Sequence, residues 1–238
     1  MKRASSYDAV LKADTKEAMR IEWRNVNFSV VEKDGKASKL CSPVYRTKPI
    51  LQNMQGSAAS GELLAIMGPT GCGKTSLLNL LAARVSAAGA SNAKISGEIL
   101  INGQPRNDEG FRRMSAYVVQ DDTMYPHMTI FETLMLAAHF YMPTATSDAF
   151  KHETVETIIA ELGLVKARNT CIGDEKVKGV SGGERKRANV AVQLISSPAC
   201  LLLDEPTRYA LIYAHDNTHA HAHTDRHTHI HAYTHTHI

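Results

Sequence analysis

The chain has 238 residues, of which 43% are hydrophobic, and this is enough for one large domain or two small ones. A net charge of +3, with Lys and Arg interspersed among Asp and Glu, argues against a nucleic-acid partner. Four scattered cysteines favour a reducing compartment, and no apolar run approaches the ~18 residues of a membrane helix. On its own the chain is therefore expected to be cytoplasmic.

The beginning of the chain has two parts with different patterns. Residues 1–20 contain few bulky apolar residues and are predicted to form a flexible lead-in. Residues 21–30 alternate apolar and polar side chains, which predicts a half-buried antiparallel strand in a small β layer. Residues 33–48 are rich in Lys, Ser, Gly and Pro and are predicted to be a surface loop.

Residues 68–75 satisfy the pattern G-x-x-x-x-G-K-[ST], between an apolar run at 63–67 and a helical pattern at 76–83. Glycines in such a loop let successive N–H groups converge on one anion, and the helix adds its positive end. We expect Lys74 to contact the β- and γ-phosphates of ATP or GTP, and the Thr75 hydroxyl to help hold Mg²⁺. The predicted nucleotide-binding residues here are Gly68, Pro69, Thr70, Gly71, Cys72, Gly73, Lys74, Thr75 and Ser76.

Two further strands are predicted after a loop at residues 86–91. Residues 97–101 are predicted to form a strand and are followed by Asn102-Gly103, a pair that accepts the positive φ angles of a hairpin turn. Residues 115–119 form a short apolar run that ends at Gln120. A polar group at the carboxyl end of a strand lies where open α/β sheets bind their ligands, so Gln120 is a candidate site residue.

Three helices are predicted from capping signals. A capping box formed by Thr129 and Glu132 opens a helix that runs to about Tyr141, and a second helix runs from about residue 148 to residue 162. Ser181 and Glu184 form another capping box, and that helix stops before residue 198. Gly182 and Gly183 in its first turn leave N–H groups uncovered, which suits a phosphate, although an ordinary capped helix has the same pattern.

Residues 200–203 read as an apolar strand that ends in Asp204 and Glu205. Because successive side chains on a strand diverge, these two carboxylates cannot do the same job. One can face a metal and the other an attacking water, whereas the alternative is an acidic pair on the surface.

The tail from residue 208 has a different composition. Nine of the twelve histidines lie between His215 and His237, all at odd positions. On a strand they would share one face and could bind metal, but a translated CA repeat produces the same alternation. We therefore predict a low-complexity tail at 208–238 without packed structure, with metal binding as a side effect.

Taken together, these segments resemble an ATP-binding cassette. Their amino-acid sequences are similar to those of the ABCG (White) half-transporters. The resemblance covers about residues 21–207 and rests on SGELLAIMGPTGCGKTSLLNLLAAR, YVVQDD, GVSGGERKR and CLLLDEP. It implies an α/β fold: a P-loop NTPase (RecA-like) core, an N-terminal antiparallel β layer and a helical subdomain that carries the signature.

The resemblance also implies a role for each candidate residue. Lys74, Gln120 and Glu205 would be catalytic, with Glu205 polarising the hydrolytic water. Thr75, Gln120 and Asp204 would hold Mg²⁺, and the signature Ser181, Gly182 and Gly183 would contact the ATP of a second nucleotide-binding domain. Such a dimer powers a membrane domain that exports lipids or amphipathic compounds, with the nucleotide-binding domain on the cytoplasmic face.

The chain departs from this family after residue 207, where Arg208-Tyr209-Ala210-Leu211 replaces the expected Ser-Gly-Leu-Asp. The D-loop, the switch histidine and the transmembrane half have no counterpart. In the family's topology a missing strand would lie between the two strands that carry the loop and the carboxylates. We therefore expect an incomplete fold with weak or no steady-state ATPase, the alternative being an inert fragment.

Overall fold

The computed structural model describes residues 18–33, 45–85, 92–120, 124–174 and 176–205, together with the backbone of residues 231–236. These residues fall into two units. The β unit contains Ala18–Arg113 and the strand His231–Thr236, and the helical unit contains the described residues from Met114 to Glu205. Several predicted segments lie outside the described residues: 1–17 of the lead-in, 34–44 of the surface loop, the loop at 86–91, and 208–230 and 237–238 of the tail.

An antiparallel sheet forms the main layer of the β unit, as the sequence predicts. Its first strand, β1 (Arg20–Lys33), lies between β2 (Tyr45–Ala59) and β4 (Ala93–Ile101), and β5 (Gln104–Pro105) extends the sheet beyond β4. The prediction of a loop was wrong for residues 45–48, because their backbone pairs with the end of β1, from Lys33↔Tyr45 to Val30↔Lys48. Ladder hydrogen bonds here outweigh a polar composition.

The alternation along β1 changes phase once. Ile21 and Trp23 are buried, and so are Val26 and Phe28, so the buried positions move from odd to even numbers. The pairing with β4 shifts register at the same place, around Asn25, whose φ is 51°. A β-bulge explains both observations, because one extra residue returns the apolar side chains to the core face.

The predicted hairpin follows β4. Asn102 has a φ of 50° and Gly103 a φ of 76°, both positive as a tight two-residue turn requires. After β5, the Arg106 guanidinium donates hydrogen bonds of 2.8 Å to the carbonyl oxygens of Leu80 and Leu81. These carbonyls end the helix α1 (Lys74–Leu81), where a cation is favourable. The short helix α2 (Asp108–Met114) comes next.

The helical unit is built on three helices whose predicted caps are confirmed. They are α3 (Ile130–Tyr141), α4 (Asp148–Glu161) and α5 (Gly182–Leu194), with a short 3₁₀ turn at Val165–Ala167. Their apolar faces meet in one buried cluster. Its most buried members are Ile130, Leu134, Ala138, Val155, Ile158, Leu164 and Ala191.

Two short sheets carry the remaining strands. In the helical unit, β6 (Ser115–Val118) pairs in parallel with β7 (Cys200–Leu203). In the β unit, β3 (Glu62–Met67) pairs antiparallel with β8 (His231–Thr236), from Met67↔His231 to Glu62↔Thr236. The described strands therefore do not form the single RecA-like sheet that the resemblance implies, since β3 and β7 belong to different sheets.

The strand β8 is the one described part of the predicted low-complexity tail. Its backbone pairs with all six residues of β3. An unpaired edge of β3 would expose a row of N–H and C=O groups, and pairing satisfies them. The prediction for the rest of the tail stays a prediction.

Candidate functional site

The loop that follows β3 leads directly into α1. The predicted helix begins two residues earlier than expected, at Lys74. Gly73 is its N-cap residue, with a φ of 101° and no side-chain hydrogen bond to the first turn. This positive φ favours glycine, and a Cβ at this position would also lie 2.8 Å from the side chain of Leu51, which would have to shift. The first turn of α1 thus has no side-chain cap over its N–H groups.

Backbone carbonyl groups of this loop bind the side chain of Lys74. Its ammonium donates hydrogen bonds to the carbonyl oxygens of Gly68 at 2.8 Å and Pro69 at 2.9 Å, and lies 4.0 Å from the sulfur of Cys72. The loop and the first turn of α1 therefore combine a cation with N–H groups at a helix start. This arrangement fits the phosphates of a nucleotide.

Two hydroxyl groups follow Lys74 on the same helix. Thr75 is exposed and Ser76 is half-buried. A Mg²⁺ bound with a nucleotide takes one or two carboxylates or hydroxyl groups from the protein and completes its shell with phosphates and waters. Across the described ranges no group of three or more His, Cys, Asp or Glu could hold a metal by itself. Hydroxyl oxygens such as those of Thr75 and Ser76 are suited to a magnesium ion that is bound together with a nucleotide.

The carboxyl ends of β6 and β7 bring the other predicted residues together. The two strands run in parallel register from Ser115↔Cys200 to Val118↔Leu203, and the N–H of Asp204 donates to the carbonyl of Val118 at 3.1 Å. Gln120, Asp204 and Glu205 consequently lie at one end of this pair of strands. Ligands of α/β sheets bind at such ends.

The two carboxylates have different partners, as expected for neighbours along a strand. Asp204 is 5% exposed and accepts a hydrogen bond from the Tyr117 hydroxyl, with 3.2 Å between the oxygens. Glu205 is half-buried and accepts from the side-chain amide of Gln120 at 2.8 Å. The φ of Glu205 is 48°, an unusual value for this residue type that turns the chain at the end of β7. The alternative of an acidic pair on the surface therefore does not describe Asp204, which is buried.

Two residues of this network were not identified from the sequence. Tyr117 carries a hydroxyl within an apolar strand, and a buried hydroxyl needs a partner. Lys186 is 7% exposed on α5, and its ammonium donates to the backbone carbonyl of Gln120. A lysine on the buried face of a predicted helix was the available signal, since a buried ammonium requires an acceptor. Lys186 thereby joins α5 to the segment that carries Gln120.

Ser181 begins α5, and its capping box is complete. Its hydroxyl accepts from the N–H of Glu184 at 3.3 Å, and the Glu184 carboxylate accepts from the Ser181 N–H at 2.9 Å and from its hydroxyl at 2.7 Å. Ser181 and Gly182 are exposed, and Gly183 is half-buried. The helix start is therefore reachable from solvent but less bare than the sequence suggested, because Glu184 already takes part of its hydrogen-bonding capacity.

The capping boxes predict an acid-sensitive helical unit. Hydrogen bonds from the Ser181 hydroxyl and backbone lower the pKa of Glu184, and those from the Thr129 backbone and hydroxyl lower the pKa of Glu132. A lowered folded-state pKa contributes stability above the unfolded-state pKa, and this contribution is lost as pH falls through the folded-state value. A chain with Glu132→Gln and Glu184→Gln should unfold a few degrees earlier than the unaltered chain at pH 7.

Thermal unfolding followed by circular dichroism between pH 7 and pH 3 tests this prediction. The difference between the two chains should shrink as the carboxylates protonate. Glu161→Gln, an exposed substitution at the end of α4 that removes no cap, is the control. A difference that stayed constant across this pH range would contradict the assignment.

The class of the P-loop nucleotide-binding domains is defined by a strand, a glycine-containing loop with a lysine, and a helix. A parallel strand that ends in carboxylates accompanies them. A family model of the ABC transporters matches residues 51–208. The chain is 38% identical over 194 residues to ABC transporter G family member 7 of Arabidopsis thaliana, covering 82% of this chain and 25% of that protein. It is also 38% identical over 187 residues to ABC transporter G family member STR of Petunia hybrida, covering 79% and 22%.

The chain therefore belongs to the ABC transporter family, and its relatives at this level of identity are members of the G family. The recognition made from the sequence motifs is confirmed, and by family the chain is an ABC-type ATPase. It spans between a fifth and a third of the length of these relatives. Among the helices described, none is long and apolar enough to cross a membrane.

Proposed function

We propose that this chain is the nucleotide-binding part of an ABCG-type transporter, which binds and hydrolyses ATP to power the export of lipids or amphipathic compounds. The observation that carries the proposal is the loop of residues 68–75, where Lys74 and the uncapped start of α1 converge within a family match that covers 51–208. A second nucleotide-binding domain and a transmembrane domain would be its partners.

Within this proposal each group of residues has a separate task. Residues 68–76 bind the phosphates through the backbone N–H groups of every residue but Pro69, and through the Lys74 ammonium. Asp204 and Thr75 would hold the Mg²⁺ that accompanies ATP, and this ion would supply positive charge to offset the charge that develops during hydrolysis. Glu205 orients and polarises the attacking water, and Gln120, hydrogen-bonded to Glu205, holds that carboxylate in place. Ser181, Gly182 and Gly183 would contact ATP held by the second domain.

Equilibrium binding of a fluorescent ATP analogue tests the proposal directly. We expect saturable binding to the purified chain that is strengthened by Mg²⁺ and displaced by unlabelled ATP. AMP, which lacks the β- and γ-phosphates that Lys74 would contact, should compete poorly. Binding that is equally well displaced by AMP, or no binding at all, would contradict the assignment of residues 68–75.

A second candidate is a chain that binds ATP without turning it over. The observation that favours it is the sequence Arg208-Tyr209-Ala210-Leu211, which replaces the Ser-Gly-Leu-Asp of the D-loop that the family resemblance implies. Single-turnover phosphate release separates the two candidates, since a rate above background that depends on Glu205 excludes the inert chain.

A further inference from the structure

We propose that Tyr117 is a positioning residue for Asp204, which it orients through its hydroxyl so that the carboxylate can hold the nucleotide's magnesium. The inference rests on the proposed function, because Asp204 is a metal ligand only in that proposal. It goes beyond that function by giving a role to Tyr117 on β6, a residue that was not among the predicted site residues.

Burial makes the contact between these two side chains consequential. Tyr117 is 9% exposed and Asp204 is 5% exposed, so water cannot readily replace one as the partner of the other. A buried carboxylate that loses a hydrogen-bond donor is destabilised, or rotates towards another donor. Either effect would displace the carboxylate oxygen atoms of Asp204 from the positions at which they are proposed to bind magnesium.

The backbone fixes both ends of the contact. Tyr117 is paired with Leu202 in the parallel register of β6 and β7, and the Asp204 N–H donates to the carbonyl of Val118. The side chains therefore leave rigid positions on adjacent strands, and little motion of the chain can change their separation. The 3.2 Å between the oxygens exceeds the usual length of an O–H···O bond, so the expected effect is moderate.

The neighbouring carboxylate has a different hydrogen-bond donor. Glu205 accepts from the side-chain amide of Gln120 at 2.8 Å. Removing the Tyr117 hydroxyl should consequently affect magnesium through Asp204 and leave the nucleotide's contacts with the loop intact. This separation of effects distinguishes positioning from a general loss of structure.

Tyr117→Phe in the full chain tests the proposal, with the affinity for a fluorescent ATP analogue measured across a magnesium titration. Magnesium is expected to increase the affinity for the analogue, and the Mg²⁺ concentration that gives half of this increase should be about fivefold higher in the variant. This is the change expected for the loss of one hydrogen bond of about 1 kcal/mol. Affinity in EDTA should be unchanged. Tyr141→Phe, which alters an exposed tyrosine at the end of α3, should behave as the unaltered chain.

A second measurement places the effect on Asp204. In an Asp204→Asn background, where the charged ligand is already gone, adding Tyr117→Phe should change the magnesium response no further. Equal weakening of binding with and without Mg²⁺ would indicate a folding defect and overturn the proposal, as would an unchanged magnesium response. If the unaltered chain showed no magnesium-dependent binding, the proposed function would fail as well.

Discussion

Replacing Lys74 by alanine is expected to weaken the binding of MgATP by about 100-fold. Its ammonium is already held at the loop by the carbonyls of Gly68 and Pro69, so it needs little reorganisation to contact phosphates. Losing charge-assisted hydrogen bonds of this kind costs roughly 3 kcal/mol, which corresponds to two orders of magnitude in affinity. Fluorescence titration of an ATP analogue into the purified variant measures the change.

A matched control is available in the same unit. Lys94 is an exposed lysine on β4, and Lys94→Ala removes the same charge without touching the loop. It should bind nucleotide as tightly as the unaltered chain, and both variants should unfold at similar temperatures. Equal losses of affinity in the two variants would mean that net charge, rather than the loop, governs binding.

Replacing Glu205 by glutamine is expected to lower single-turnover phosphate release by at least about 100-fold, because general-base catalysis contributes roughly 10² to 10⁴ in rate. The substitution keeps the shape of the side chain, and the Gln120 amide can still donate to the remaining carbonyl oxygen. MgATP affinity should stay within a factor of about two, since the proposed phosphate contacts belong to residues 68–76.

Three outcomes of this experiment have distinct meanings. A rate that falls to background in Glu205→Gln, with Glu161→Gln unaffected, supports hydrolysis by the proposed mechanism. Background rates in both the unaltered chain and the Glu205→Gln variant support the inert alternative. A rate that persists in Glu205→Gln shows that another residue polarises the water, and the assignment of Glu205 is then wrong.

The local elements were largely predictable because their signals lie close together in the chain. The capping boxes at Thr129 and Ser181 each need only two residues three positions apart, and the hairpin needs only Asn102 and Gly103. The strand β2 was missed because its residues 45–48 are stabilised by pairing with the end of β1. Such pairing depends on residues more than ten positions away, and a local pattern does not contain it.

Contacts between distant side chains were beyond local patterns for the same reason. Tyr117 and Lys186 each carry one polar group into a buried environment, where an unpaired donor is costly. The sequence indicated that each needs a partner but not which one. The partners, Asp204 and the Gln120 carbonyl, lie 87 and 66 positions away.

By itself, the sequence determined the family, the glycine-lysine pattern at residues 68–75 and the capping boxes, since each depends on residue types at fixed short spacings. Only the tertiary structure decided that β3 pairs with His231–Thr236 and that Tyr117 contacts Asp204. Strand pairing and burial are cooperative properties of segments far apart in the chain, and their free energy depends on which backbone and side-chain groups the fold brings together.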